Sequence, residues 1–192
     1  MKDDEKRMAA ARLLTRLAED DSIGVISDTV RDMDPREVRD LLSFAARLLH
    51  PAGTEHHREL FIHVDGASIG NPGPAGAGVV IMDQNNRKTA TISQPLGTAT
   101  NNVAEYRALI MGLARAKELG ASRVHILADS ELMVKQITGD YRVKDVKLRA
   151  LSREALELID SFDYFDIVHV DREKNGEADR LAKRAAEAGG ER

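Results

Sequence analysis

Along the first quarter of the chain, apolar residues recur at helical spacing. Ala9, Leu13, Leu14 and Leu17 form one such series, and Val38, Leu41, Leu42, Ala45, Leu48 and Leu49 form another. Asp34 followed by Pro35 places a capping side chain ahead of a proline suited to the first helical position. With a short helix around Ile23–Val30 between the two series, residues 1–50 predict a small all-α domain. Pro51 and Gly53 interrupt the pattern, and residues 51–58 read as a linker. From residue 59 the periodicity changes. Leu60–Asp65 is a short apolar run with residues of that kind on both faces, as in a central strand. The turn Gly70-Asn71-Pro72-Gly73-Pro74 follows, then strands over Gly76–Met82 and Lys88–Ser93 joined by the polar stretch Asp83–Arg87. A helix is expected over Asn102–Leu119, opened by Thr100 or Asn101 and stopped by Gly120. After it come a strand (Arg123–Ala128), a short helix (Ser130–Ile137, ending at Gly139) and a longer helix (Asp145–Ile159). A strand (Tyr164–Val170) and a last helix (Gly176–Ala188) complete the pattern. The order β-β-β-α-β-α-α-β-α over residues 59–190 implies an α/β domain with a mixed sheet, antiparallel first and parallel later.

The 192 residues suffice for one such domain and a small appendage, and 42% hydrophobic content fits a folded chain. No apolar run approaches the ~20 residues of a membrane span, so no membrane association is expected. The acidic start, Met1-Lys2-Asp3-Asp4-Glu5, lacks the apolar core of a signal peptide. The chain has no cysteine, which excludes disulfides and thiolate metal sites and makes a cytoplasmic location the expectation. The net charge of −4 lies mostly in the N-terminal quarter. Any nucleic-acid contact must therefore use local basic patches rather than a global field. The acidic N-terminal helices suit self-packing or contact with a protein partner.

Four carboxylates stand where chemistry is expected. Asp65 and Asp129 end two strands, and would lie side by side if those strands are parallel neighbours. Glu105 lies in the first turn of its helix, and Ala108, Gly112 and Ala116 share its face, so that helix can approach the sheet closely. Asp179 lies near the start of the last helix. Gathered together, the four would repel and raise one another's pKa, a conflict that hard divalent cations remove. Oxygen-only ligands favour Mg²⁺ or Mn²⁺. Two such ions about 4 Å apart activate water and stabilise the leaving oxygen of a phosphodiester. Taken singly, an acidic residue at a strand end or early in a helix is usually a cap or a solvated charge.

The segment from Phe61 through Asp65-Gly66-Ala67-Ser68 and Gly70-Asn71-Pro72-Gly73 to Gly76 resembles the first hairpin of type I ribonuclease H. Thr100-Asn101-Asn102-Val103-Ala104-Glu105, Ala128-Asp129-Ser130 and Asn175-Gly176-Glu177-Ala178-Asp179 are similar to the family's later blocks, in the same order, across residues 59–188. The resemblance implies a five-stranded ribonuclease H-like sheet flanked by helices. It also implies cleavage of the RNA strand of RNA–DNA hybrids by Asp65, Glu105, Asp129 and Asp179 with two metal ions, leaving 3′-hydroxyl and 5′-phosphate ends. By the same resemblance Asn71, Asn101, Asn102 and the backbone at Gly70 read 2′-hydroxyls, which distinguish RNA from DNA. The resemblance further implies that Thr100 and Asn102 hold a phosphate of the DNA strand. Thr100 and Asn101 also suit helix capping, and Asn71 a turn. Alternatives in other classes are a nuclease of this fold acting on another structured nucleic acid, and a binding module with weak catalysis.

Three features depart from the family pattern. Glu131 stands where a substrate-contacting glutamine is common, facing either the minor groove or solvent. The long basic handle with its tryptophan is missing, leaving Lys135, Arg142, Lys144, Lys147 and Arg149 as a smaller basic patch or a solvated face. The loop before Asp179 lacks the family's histidine, and Arg172 is its expected replacement, unless it merely pairs with Asp171 or Glu177. His63, two residues before Asp65 on the same strand face, is the one histidine placed to support the site.

Overall fold

A computed structural model describes residues 58–190. The helices expected over residues 1–50 and most of the linker lie outside the described residues. Strand β1 (Arg58–Ser68) begins at the last residue read as linker, and β2 (Gly73–Asp83) and β3 (Lys88–Ala99) follow. Then come helix α1 (Asn101–Glu118), β4 (Ala121–Ala128), the short α2 (Glu131–Ile137) and α3 (Val146–Ile159). Strand β5 (Tyr164–His169), a 3₁₀ turn (Arg172–Asn175) and α4 (Gly176–Gly190) complete the described chain. The sheet order is β3-β2-β1-β4-β5. β2 is antiparallel to both β1 and β3, whereas β1, β4 and β5 run parallel, the mixed α/β sheet that the element order predicts.

Helix signals in the sequence do what their chemistry requires. The side chains of Thr100, Ser130 and Asp145 cap α1, α2 and α3 by accepting from backbone N–H groups of the first turn. Gly120 and Gly139, just past α1 and α2, have positive φ. Strand β3 runs on through Pro95 and Gly97, past the expected end at Ser93. A proline is tolerated because β3 is an edge strand, and the β2–β3 register shifts there, Gly76 facing Pro95 and Ala75 facing Gly97.

Two helical layers cover the sheet. On one face Leu60, Ile62 and Val64 of β1 and Val79 and Ile81 of β2 pack with Tyr106, Leu109 and Leu113 of α1, and α3 adds Leu148, Leu151 and Ala155. Gly112 lets α1 come close, since a Cβ there would lie 2.9 Å from Ile62 Cγ2. On the other face α4 lies on β2, where a Cβ at Gly76 or Gly78 would run into the backbone of Ala182 or Ala178. Among the described residues no helix is long and apolar enough to cross a membrane.

Candidate active site

The parallel register pairs Val64 with Ala128, so the next residue on each strand, Asp65 and Asp129, emerge together at the carboxyl end of the sheet. A third acid joins them because of a glycine. A Cβ at Gly66 would collide with the backbone of Ala104 and Glu105, so only glycine allows the start of α1 to close onto the end of β1. That approach lets Gly66 N–H donate to Glu105 Oε2 at 3.3 Å. Asp65, Glu105 and Asp129 each offer an oxygen within 4.8 Å of the others. Asp65 and Glu105 are 4% and 5% exposed, too buried to be solvated capping charges.

The fourth carboxylate stands outside that close group and outside the cleft lining, tied to the site through Arg172 and under different electrostatics. Asp179 accepts from Arg172 Nη2 at 2.7 Å and from Lys183 Nζ at 2.7 Å. Arg172 Nε also lies 4.0 Å from Asp129 Oδ2. Burial pushes the Asp65 carboxyl up to about 8, with the charge of Asp129, its hydrogen bond and the more distant Asp179 adding to the shift against the pull of Arg172. Burial likewise drives Glu105 up to about 9, helped by Asp65 and Asp129 and opposed by the Gly66 N–H and Arg172. For Asp179 burial works upward too, but Lys183 and Arg172 outweigh it and hold the group below the usual carboxylate range. Among the described residues no Lys or Arg forms a salt bridge with Asp65 or Glu105. An oxygen-only set of this kind fits a hard divalent cation, which would relieve the repulsion that the side chains leave standing.

The cleft has a volume of ≈ 460 Å³ and is lined by Asp65, Glu105, Asp129, Asn101, Arg172 and Lys183, among others. At its rim the exposed Asn71 Oδ1 accepts from Asn101 N–H at 3.1 Å, and Asn101 Nδ2 reaches Glu105 Oε1 at 3.5 Å. Gly70 takes φ 92°, and a side chain at Gly73 would collide with the Ile69 carbonyl, which fixes the turn presenting Asn71. Thr100 Oγ1 accepts from Val103 N–H at 3.4 Å, so its capping role is real, and Asn102 stands exposed beside it. Glu131 is outside the cleft lining and pairs with Lys135 at 2.7 Å. Lys135 also stands over the Tyr141 ring at 4.9 Å, whereas Arg142, Lys144, Lys147 and Arg149 of the basic patch are exposed. Arg172 pairs with neither Asp171 nor Glu177, which meet Lys174 and Lys88 instead. Its partner is a member of the acidic set.

Three residues that shape the site had no role in the sequence reading. Gly66 stands inside a strand, where a glycine signals close backbone approach. Lys183 follows Asp179 by four residues on a helix, a spacing that brings side chains together. Asn175 donates from Nδ2 to Val64 O at 2.8 Å and to Asp129 Oδ1 at 3.3 Å, a link across 111 residues that no local pattern announces.

A family model described as reverse transcriptase-like matches residues 63–185, which span the whole acidic set. Over 131 residues the chain is 44% identical to a bifunctional protein of Mycobacterium tuberculosis, covering 68% of this chain but only 36% of that protein. It is 42% identical to ribonuclease HI of Halobacterium salinarum, over 64% of this chain and 62% of that protein. The solved ribonuclease H1 of Halobacterium salinarum superposes with a TM-score of 0.66 at 40% identity, covering 68% of this chain and 98% of that one. A ribonuclease H1 solved in complex with an RNA/DNA hybrid gives a TM-score of 0.64 at 37% identity, covering 67% of this chain and 97% of that one.

Proposed function

The chain belongs to the ribonuclease H-like, reverse transcriptase-like family, and on that premise we propose that it hydrolyses the RNA strand of RNA–DNA hybrids. One observation carries the reading. The cleft that gathers the mutually repelling Asp65, Glu105 and Asp129 has at its rim the linked pair Asn71 and Asn101, polar groups able to hydrogen-bond 2′-hydroxyls. Two Mg²⁺ or Mn²⁺ ions held by Asp65, Glu105, Asp129 and Asp179 would lower the pKa of the attacking water and neutralise charge on the leaving oxygen. The chain's residues supply the rest. Asn71, Asn101, Asn102 and the Gly70 backbone engage successive ribose hydroxyls, and Thr100 and Asn102 hold a phosphate of the DNA strand. Arg172, 69% exposed at its side chain, turns from Asp179 to the scissile phosphate, where its fork meets two oxygens at once. The water oxygen bonds to phosphorus as the bond to the 3′-oxygen breaks. The 3′-oxygen takes up a proton, leaving a 3′-hydroxyl and a 5′-phosphate.

A cleavage assay comparing a labelled hybrid, duplex RNA, duplex DNA and duplex DNA with one ribonucleotide tests this reading. Cutting of the hybrid far faster than of the single ribonucleotide is expected, because several consecutive hydroxyls are read. Equal rates on those two substrates, or faster cutting of duplex DNA, would reject the proposed substrate.

A further inference from the structure

Asn175, 1% exposed, has its amide nitrogen fully engaged, and among the described residues its amide oxygen meets no hydrogen-bond partner. The orientation is not interchangeable. Val64 O and Asp129 Oδ1 are both acceptors, so the NH₂ group must face them and the oxygen must face the opposite way. A buried carbonyl oxygen of this kind calls for a donor. The Val64 contact seats Asn175 against β1, one residue from His63. On the sheet, His63 pairs with Val80 and Asp65 with Gly78, so both side chains lie on the face covered by α4. The half-buried imidazole is near enough to Asn175 and to Glu177, at the start of α4, for both to raise its pKa against the stronger effect of burial.

We propose that His63 is a positioning residue, donating a ring N–H to Asn175 Oδ1 and so fixing the amide that holds Asp129. An imidazole keeps an N–H in either protonation state, so the role does not depend on its titration. The sequence of contacts is His63 to Asn175 to Asp129, with Val64 O as the second anchor of the amide. Without the histidine, the Asn175 amide is held at its nitrogen alone, and the oxygen of Asp129 that accepts from it is less sharply directed. Groups that orient metal ligands in this way typically change metal affinity about 10- to 100-fold when removed. The inference rests on the proposed metal-dependent reading of the site, and extends it to a residue outside the four carboxylates.

The test is a double-mutant cycle read by Mn²⁺ affinity in the full-length chain without nucleic acid, by calorimetry or by the signal of free Mn²⁺. His63→Phe keeps a ring of similar size without a donor, and should weaken Mn²⁺ binding about tenfold with little change in melting temperature. Asn175→Ala should weaken it at least as much, and the double variant should be no weaker than Asn175→Ala alone, since His63 acts only through Asn175. His63→Gln, which restores an N–H donor, should recover most of the loss. In hybrid cleavage the His63→Phe defect should fall on kcat rather than KM. Losses that add in the double variant, wild-type affinity in His63→Phe, or no Mn²⁺ binding by the unmodified chain would overturn the proposal. Mn²⁺ binding that follows the cycle in a chain that cuts no hybrid would reject the proposed substrate and leave the role of His63 standing.

Discussion

Strands β1 and β4 carry a charged cluster at each end, and the two clusters are built on opposite electrostatic plans. Near the start of the strands, Glu59 Oε1 meets His125 Nε2 at 2.9 Å and Arg123 Nε at 3.4 Å. There the His125 ring stacks on Phe61 at 4.7 Å, and Arg123 lies over the Tyr164 ring at 4.5 Å. The hydrogen bond from His125, with the charges of His125 and Arg123, holds the Glu59 carboxyl below its ordinary range against the effect of burial. At the other end Asp65 and Glu105 are pushed up to about 8 and about 9. The same two strands thus display charge that the protein has satisfied itself and charge that it has left for something else to satisfy. The first pattern is that of a structural cluster; the second is that of a binding site.

The largest expected separation between the two ends is catalytic. Asp65→Asn should lower kcat on an RNA–DNA hybrid by on the order of 10³ or more, at least ~4 kcal/mol of transition-state stabilisation. A labelled-hybrid assay showing Asp65→Asn within tenfold of the unmodified chain would erase the distinction.

The second separation is in the sign of the pH dependence. Asp65 and Glu105 bind protons more tightly when folded, so with chelator present they favour the fold fully only below their ordinary carboxyl range near pH 4. That contribution is lost as pH rises towards 8 to 9. Glu59 runs the other way, its contribution present above its ordinary pKa and lost as acid protonates it. The melting temperature in chelator should therefore fall between about pH 5 and 8, and the rise on adding Mg²⁺ or Mn²⁺ should widen over the same interval. A melting temperature in chelator that climbs with pH would contradict the proposed repulsion.

Arg172 sharpens the comparison within the site itself. Arg172→Ala should lower kcat about tenfold, or ~1.4 kcal/mol, if its fork holds the scissile phosphate. Arg172→Lys should recover only part of that, since one point charge replaces a fork. Steady-state kinetics with unchanged kcat and KM in Arg172→Ala would confine the residue to neutralising Asp179.

The smallest effect belongs to the satisfied cluster. Glu59→Gln should cost about 1 kcal/mol or less of stability by urea unfolding, as partly exposed ion pairs do. It should leave kcat unaltered. A tenfold loss of activity in Glu59→Gln would show that the two ends are not independent.

Much of this was legible in the sequence because it rests on local rules. Short apolar runs bounded by turn residues mark the strands, Thr100, Ser130 and Asp145 stand at helix starts, and Asp65 and Asp129 stand at strand ends that a parallel pairing joins. Strand β3 outruns its expected end at Ser93 because its place at the sheet edge tolerates Pro95 and Gly97, which interrupt a strand pattern. What escaped is what depends on distant residues. Asn175 is placed by Val64 and Asp129, and Arg172 meets Asp179 rather than its sequence neighbours Asp171 and Glu177. Charge balance around each carboxylate is likewise a property of the assembled cleft, set by which cations the fold brings within reach.

The glycines of β2 have a consequence for how this protein can change over time. Gly78 lies against the Ala178 carbonyl, one residue before Asp179, and Gly76 lies against the backbone of Ala182 and Ala186 further along the same helix. At these two positions the distance from sheet to helix is therefore set mainly by main chain against main chain, with only the Ala185 methyl beside Gly76. Mutational drift that swaps one apolar residue for another elsewhere in the core alters spacings that side chains define, but not this one. The fourth carboxylate sits on a mount whose tolerance is concentrated in two positions, so a lineage can vary the surrounding interior widely while Gly76 and Gly78 stay fixed.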